Sequence, residues 1–279
     1  MRRVTTLSFA SAAVMLLAVC LCPARAAGTR KRVHLTLMSY NIHVGVGMDK
    51  KQDLKRIADV IKLYRCDLVG LQEVDRGVER TGRVDEIKEL ARLTGMDYAF
   101  AHNLDYQGGQ YGVAVLSRFP ILAIDHRRYA NTRERERRGF IRVEVEIKGR
   151  RLNIVTTHLD YQYPDGRLFE TRQLLDALAD VRGPLIVTGD FNEEPAGGAY
   201  ELMRKAGFAD GWRRSHGPSN ESPGDGATYP ADKPKKRIDY IFYRGLGEDR
   251  PPADDEEASE AVPDTLASDH RPIVIGLWF

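Results

Sequence analysis

Cysteine is scarce: Cys20, Cys22 and Cys66 are the only thiols in 279 residues. So few exclude a disulfide-stapled scaffold and make a zinc site improbable on donor supply alone. An excess of charge of one sign is also missing, with 42 Lys and Arg against 40 Asp and Glu, a net +2. That balance does not support a generally basic nucleic-acid binder. The 25 Gly and 13 Pro follow no repeat, which removes collagen-like and low-complexity readings. There is neither a G-x-S-x-G elbow nor a G-x-x-x-x-G-K-[ST] loop, so a serine-hydrolase or P-loop chemistry has no anchor. What is present is a chain that is 42% hydrophobic and 29% charged, long enough to bury a sizeable core as one large domain or two small ones.

Long apolar runs are confined to the start. Met1–Arg3 is basic, Leu7–Cys22 is uncharged and mostly apolar, Pro23 breaks it, and Ala24-Arg25-Ala26 has small residues at its first and third places. This is the layout of a secretory signal peptide, expected to be cleaved near Ala26. An uncleaved anchor is the alternative, but the run of 16 residues is shorter than the ~20 a spanning helix needs. Bulky Val19 and Leu21 ahead of the two cysteines argue against a lipid anchor. Residues 1–26 carry three Arg and no acid, so residues 27–279 hold 39 basic and 40 acidic groups, a net −1. The expected product is an exported, periplasmic or secreted, single catalytic domain spanning 27–279. Its one remaining thiol, Cys66, abuts an apolar run and reads as buried and inert.

Two charged segments stand out in the mature chain. Glu248–Glu260 has seven acids and one base and reads as a solvated loop. Arg127–Arg138 has six Arg against Glu134 and Glu136. It reads as a solvated loop with local ion pairs, or as a rim that attracts anionic headgroups or a polyphosphate.

Hydrophobic spacing predicts the elements. Strands are expected at Leu35–Tyr40, Leu68–Leu71, Tyr111–Leu116, Ile121–Ile124, Val143–Ile147, Leu152–Thr157, Leu185–Thr188, Ile238–Tyr243 and Ile273–Leu277. Helical spacing marks Asp53–Tyr64 with Asp53 as N-cap, the set Val84, Ile87, Leu90 and Ala91 stopped by Gly95, the set Leu168, Leu175, Leu178 and Val181, and Tyr200–Ala206. Helices alternate with strands early and strand pairs fill the middle, so the class is α/β with a mixed sheet or two sheets.

Polar residues fall where these strands end: Asn41, Gln72-Glu73, His158, then Asp190 and Asn192, with Asp239 in a late strand and Asp269-His270 before the last. One such residue is ordinarily a turn or a cap. Loops at one edge of a sheet converge, however, and together these groups could share a cleft. Carboxylates with an amide oxygen suit a hard cation, Mg²⁺ or Mn²⁺. Such an ion beside a phosphate, with a histidine oriented by a carboxylate, reads as metal-assisted hydrolysis of a phosphate ester.

The motifs SYNIH (39–43), LQEVD (71–75), YGVAVLSRFP (111–120), THLD (157–160), GDFNEEP (189–195), RIDYIF (237–242) and SDHRPI (268–273) resemble, in order, the endonuclease/exonuclease/phosphatase superfamily. It includes pancreatic-type deoxyribonucleases, apurinic-site endonucleases, inositol polyphosphate 5-phosphatases and neutral sphingomyelinases. The resemblance implies a four-layered α/β sandwich, two mixed β-sheets face to face with helices outside. It implies Glu73 as principal metal ligand, Asn41 beside it on metal or phosphate, and Asp269 completing the metal site. His158 resembles the histidine that contacts the scissile phosphate and helps protonate the leaving group. Asp190 resembles the group that orients or deprotonates water, Asn192 the amide on a phosphate oxygen, and His270 a phosphate-bonded histidine or base oriented by Asp239. Glu136-x-Arg138-Gly139 resembles a further block whose Glu is structural. Whether His43, Asp75 and Tyr229 touch the site is open, and Arg172-Gln173 are expected to support the fold.

The resemblance, through SYNIH, GGQYGVAVLSR and THLD, leans to the exported small-molecule or lipid branch. The expected activity is a secreted phosphoesterase acting on a small-molecule or lipid-headgroup ester. The alternatives are a secreted nuclease and an inactive binding module on the same fold.

Overall fold

The computed structural model describes residues 32–130, 136–216, 226–246, 260–261, 263 and 266–279. The expected signal peptide, most of the acidic segment and residues 131–135 of the arginine cluster lie outside them. Among the described residues no helix is long and apolar enough to cross a membrane.

The first half of Val33–Phe279 runs β1 (His34–Asn41), α1 (Leu54–Leu63), β2 (Leu68–Arg76), α2 (Glu86–Thr94), β3 (Asp97–Tyr106) and β4 (Gly109–Ser117). The second runs β5 (Ile121–Arg128), β6 (Gly139–Ile147), β7 (Arg150–His158), α3 (Pro164–Leu178), β8 (Leu185–Asp190), α4 (Gly198–Lys205), β9 (Ala209–Asp210), α5 (Gly211–His216), β10 (Asp239–Arg244), β11 (Glu260–Ala261) and β12 (Ile273–Trp278). They form two six-stranded sheets, ordered β11-β12-β1-β2-β4-β3 and β5-β6-β7-β8-β10-β9.

Each sheet is antiparallel except for one central pair. β1 and β2 are parallel with α1 between them, and β7 and β8 are parallel with α3 between them. Parallel neighbours end on the same side. Asn41 therefore pairs with Gln72, and His158 with Asp190. β10 and β12 run antiparallel to β8 and β1, so their starts lie beside those ends: Asp239 pairs with Asp190, and Ile273 with Ser39. The topology alone thus gathers the strand-end polar residues at one rim.

The layers follow from which face each strand buries. Leu37, Val115, Ile141, Ile154, Ile186, Ile241 and Ile275 fill the space between the sheets. Met38, Tyr40, Leu71 and Leu116 pack outward on Ile57, Ile61 and Leu90 of α1 and α2. Val187, Tyr240 and Phe242 pack outward on Leu174, Leu178, Tyr200 and Met203 of α3 and α4. Central strands covered on both faces read as unbroken apolar runs, which is why Leu68–Leu71 shows no alternation. The result is the four-layered sandwich that the resemblance implies.

Several local expectations hold. Asp53 caps α1, its carboxylate accepting from the Lys55 and Arg56 amides at 2.9 and 3.3 Å, a contact worth about 1 kcal/mol. Gly95 closes α2 at φ +71°. Cys66 is buried, and burial pushes its thiol up to about 12. Other features depart. α2 starts at Glu86 behind an Asp85 cap, not at Val84, and Val181 lies beyond the end of α3. β3 is absent from the sequence reading, because its inward residues are Ala99, Ala101 and Asn103. Small and polar inward residues leave no apolar alternation to detect.

Gly70 sits where the sheets come closest. A Cβ there would lie 1.9 Å from Thr188 Oγ1 and 2.8 Å from Thr156 Oγ1, on the facing sheet. Both threonines are fully buried, and Thr188 Oγ1 donates to Val155 O. Gly70→Ala must push the sheets apart, so we expect a loss of about 1–3 kcal/mol, read from the denaturant midpoint. An unchanged midpoint would show that the sheet gap is compliant.

Candidate active site

Two backbone irregularities aim the site residues. The register of β2 against β4 slips between Leu71 and Val74, and Glu73 takes φ +57° there. A bulge turns consecutive side chains in ways a regular strand cannot. Gln72 is fully buried and donates to Thr156 Oγ1 at 2.8 Å, tying the two sheets together. Glu73 faces the cleft and is half-buried. Beyond β8, Asn192 at φ +49° folds back so that its amide donates to Asp190 Oδ1 at 2.8 Å. A non-glycine residue in this region carries strain of order 1–3 kcal/mol, typical of functional turns.

The centre of the rim is Asp190, which is 1% exposed. Its Oδ2 accepts from Asn41 Nδ2 at 3.0 Å and lies 3.5 Å from His158 Nε2 and 3.7 Å from His270 Nε2. The same Asn41 amide donates to Glu73 Oε1 at 3.0 Å, bridging the two carboxylates. His270 Nδ1 donates to Asp239 Oδ2 at 2.9 Å, and the Thr228 hydroxyl donates to that same oxygen at 2.5 Å. Ser268 Oγ donates to Asn41 O and accepts from the His270 amide, which pins the last loop onto β1. Asp190, Asn192, His158, His270, Glu73, Asp269 and Tyr229 line one cleft of about 830 Å³.

The two histidines sit in opposite electrostatic settings. Burial opposes charge on His270, but Asp239 and Asp190 outweigh it and hold its pKa up to about 10. Burial, the Arg138 guanidinium and cationic His270 push His158 well below its ordinary range. Burial and the nearby Asp239 carboxylate raise Asp190 to about 7, against the pull of His270 and the donors on its oxygens. Near neutral pH the rim thus holds a cationic imidazole, a neutral one and a carboxyl poised to take a proton.

Asp190, Asp239 and His270 each bring one ligand-type atom within 4.8 Å of the others. His270 Nδ1 is spent on Asp239 Oδ2 and Asp190 Oδ2 on Asn41, so we read the trio as an acid–base set rather than a cation cage, although Asp239 Oδ1 is buried without a hydrogen-bond partner among the described residues. Free oxygen lies elsewhere on the rim. Asp269 Oδ1 is buried without a hydrogen-bond partner, with His43 Nδ1 3.7 Å away. Glu73 offers a carboxylate to the cleft, and Asn41 Oδ1 accepts only the His43 amide at 3.1 Å. An all-oxygen set of Glu73, Asp269 and Asn41 fits a hard divalent cation.

Other candidates fall outside the centre. Asp75 is fully buried and faces away, accepting from Arg80 Nε and Nη2 at 2.7 and 2.8 Å. Arg80 itself lines the cleft, under the rings of Tyr106 and Tyr111. Gln173 accepts from the Ala130 amide, a fold contact, and Arg172 is exposed. Tyr229 packs its ring 4.8 Å from that of His270. The arginine cluster does not act as one unit. Arg127 pairs with Asp125 and Arg128 donates to His102 O, whereas Arg138 is buried at the cleft floor. Arg80 and Thr228 escaped the sequence reading. Ser268 entered it only within a family block, and Arg138 only within a family block and the arginine cluster, neither with a role assigned. Only the strand register, which sets Gly139 opposite His158, reveals that Arg138 meets that histidine.

A family model described as the endonuclease/exonuclease/phosphatase family matches residues 38–270. "Uncharacterized protein YbhP" of Escherichia coli (strain K12) is 26% identical over 229 residues, 78% of this chain and 87% of that protein. A "Putative neutral sphingomyelinase" of Caenorhabditis elegans is 28% identical over 247 residues, 70% of this chain and 54% of that protein. The crystal structure of an endonuclease/exonuclease/phosphatase from Beutenbergia cavernae DSM 12333 aligns with TM-score 0.69 at 25% identity, covering 88% of this chain and 71% of that one. A mannosyl-6-phosphatase of Bacteroides thetaiotaomicron VPI-5482 shares the fold, with TM-score 0.65 at 18% identity and coverage of 88% and 100%.

The His270–Asp239 pair makes stability depend on pH. The unfolded ring titrates near 6.5 and the folded one at about 10. The pair's contribution is therefore complete below pH 6.5 and lost as pH rises through 10. Between pH 7 and 10.5 the urea midpoint of the wild type is expected to fall more than that of His270→Gln. Parallel curves would place the charge elsewhere.

Proposed function

The chain belongs to the endonuclease/exonuclease/phosphatase family, and on that premise we propose an exported, divalent-metal-dependent phosphoesterase acting on a small-molecule or lipid-headgroup phosphate ester. In this reading residues 1–26 are a signal peptide and 27–279 a single catalytic domain. One observation carries it: the buried Asp239–His270–Asp190 chain adjoins the free oxygens of Glu73 and Asp269 in one cleft. An acid–base set beside a hard-oxygen donor set is what hydrolysis of a phosphate ester requires.

Mg²⁺ or Mn²⁺ held by Glu73, Asp269 and Asn41 would neutralise charge on the phosphate oxygens and acidify a nearby water. The chain's own residues do the rest. Asp190, with its carboxyl raised to about 7, accepts the proton of the attacking water. His270 stays cationic against Asp239 and presents Nε2–H to a phosphoryl oxygen whose charge grows in the transition state. Asn192, anchored by its side-chain nitrogen on Leu159 O at 3.1 Å, positions a second phosphoryl oxygen.

The cleft supports a compact substrate. Its volume of about 830 Å³ suits one headgroup or sugar phosphate. Leu104, Tyr106 and Tyr161 supply apolar wall and Lys236 a cation, with Arg80 and Arg167 beside them ion-paired to Asp75 and Glu193, a lining that suits an anionic group joined to an apolar body. The relative named "Putative neutral sphingomyelinase" supports that reading.

Purified mature protein with Mg²⁺ is to be assayed on plasmid DNA and on a panel of sugar phosphates, inositol phosphates and phosphocholine lipids. Turnover is expected on the panel, abolished by EDTA and restored by Mg²⁺. Glu73→Ala and His270→Ala are each expected to lower kcat by about 10²–10⁴-fold with unchanged circular dichroism. Efficient nicking of DNA without turnover of any small or lipid ester would replace this reading with a nuclease, and undiminished rates in EDTA would remove the metal. Export has its own check: a periplasmic or medium fraction whose intact mass begins near Ala27. A full-length mass in the cytoplasm would contradict it.

A further inference from the structure

Arg138 is 3% exposed, and its Nη1 lies 2.7 Å from His158 Nδ1. A guanidinium has only donors and keeps its charge. Nδ1 must therefore be the bare, accepting nitrogen, and the single proton of a neutral ring must sit on Nε2. Nε2 faces one acceptor and one donor. Asp190 Oδ2, an acceptor, is 3.5 Å away. The Asn192 side-chain nitrogen donates one N–H to Leu159 O at 3.1 Å, and its other N–H is a donor that opposes Nε2–H at 3.1 Å. The opposite tautomer would set an N–H against the Arg138 donor at 2.7 Å, the shorter and costlier conflict. The charged or titratable groups facing the ring are Arg138 from the residue before β6, Asp190 from β8 and His270 from the last loop.

We infer that Arg138 is a positioning residue that locks His158 in its neutral Nε2–H form, so that His158 donates a hydrogen bond to a phosphoryl oxygen and does not protonate the leaving group. Loss of Nε2–H from a neutral imidazole would leave an imidazolate, which is inaccessible at neutral pH. A histidine that serves as a general acid needs both nitrogens protonated, and a carboxylate on Nδ1 favours that state, as Asp239 does for His270. An arginine in the same place forbids it. Gly139 makes the placement possible: a Cβ there would lie 2.5 Å from Arg127 O and 2.7 Å from Asn103 Oδ1. Its absence lets β6 pair closely enough for the preceding residue to reach His158.

The inference rests on the phosphoesterase reading for its catalytic half and on geometry alone for its tautomer half, and the tests separate the two. Long-range ¹H–¹⁵N spectra of the purified protein should show His158 with a bare Nδ1 and a protonated Nε2 throughout pH 5.5–8.5. In Arg138→Met the ring should titrate within that window, and Arg138→Lys should restore the neutral form. A doubly protonated His158 in the wild type at pH 7, or a proton on Nδ1, overturns the assignment without any turnover being measured.

For catalysis, wild type and His158→Gln are compared with Mg²⁺ on bis(4-nitrophenyl) phosphate and on diphenyl phosphate. Glutamine keeps an N–H donor, so a hydrogen-bonding role predicts the same loss, about 10-fold, on both esters. A general acid predicts little loss with the good leaving group and about 10²–10⁴-fold with the poor one, and that split would overturn the proposal. Arg138→Met should lower kcat with KM little changed, and Arg138→Lys should recover part of it. If the wild type cleaves neither these diesters nor the panel of esters above, the phosphoesterase reading falls, and the spectra still decide the tautomer.

Discussion

The carboxylate of Asp190 is buried at the meeting point of both sheets, and the rest of the rim is arranged around its charge. An ionised carboxyl removed from water costs several kcal/mol unless donors and cations replace its hydration. Here Asn41 comes from β1, the Asn192 amide from the turn after β8, and His270 from the loop before β12. Each arrives from a different element, so the carboxylate is satisfied only when both sheets, their bulge and the final loop are in register. Asp239 adds a second buried carboxylate and compounds the demand: Thr228 and His270 satisfy its Oδ2, while its Oδ1 has no hydrogen-bond partner among the described residues. The folding of the rim and the chemistry of the cleft thus draw on the same contacts.

That arrangement divides labour between two histidines of equal intrinsic basicity. His270 faces two carboxylates and stays charged. His158 faces an arginine and stays neutral. Both direct Nε2 toward Asp190 Oδ2, at 3.7 and 3.5 Å, lengths at which neither makes a full hydrogen bond to it. The two N–H groups are therefore aimed but unspent, and a phosphoryl oxygen entering the cleft would find donors already oriented. Preorganised donors of this kind stabilise developing charge without reorganisation at the moment of reaction.

Much of the frame was legible in the residues. Continuous apolar runs marked the central strands, Asp53 and Gly95 marked helix ends, and polar residues at strand ends pointed to one rim. The failures share a physical cause. β3 turns alanine and asparagine inward, so its burial leaves no apolar trace. Asp75 sits in the same motif as Glu73, but the bulge between Leu71 and Val74 sends the two carboxylates different ways. Arg138 read as one charge among six in a basic stretch and as part of a family block with no role for the arginine, while Arg127 and Arg128 of the same stretch do lie at the surface. Side-chain type reports what a residue can do, and only its surroundings decide whether it is solvated.

By itself, the sequence determined the class of the fold, the family and the inventory of oxygen and imidazole donors, because periodicity and residue chemistry are local properties. The tertiary structure alone decided how those donors are charged. Protonation depends on neighbours within a few ångströms, and these neighbours are brought together across 149 residues for Asn41 and Asp190, 31 for Asp239 and His270, and 20 for Arg138 and His158. No spacing along the chain encodes that one histidine meets a carboxylate and the other an arginine; strand register does.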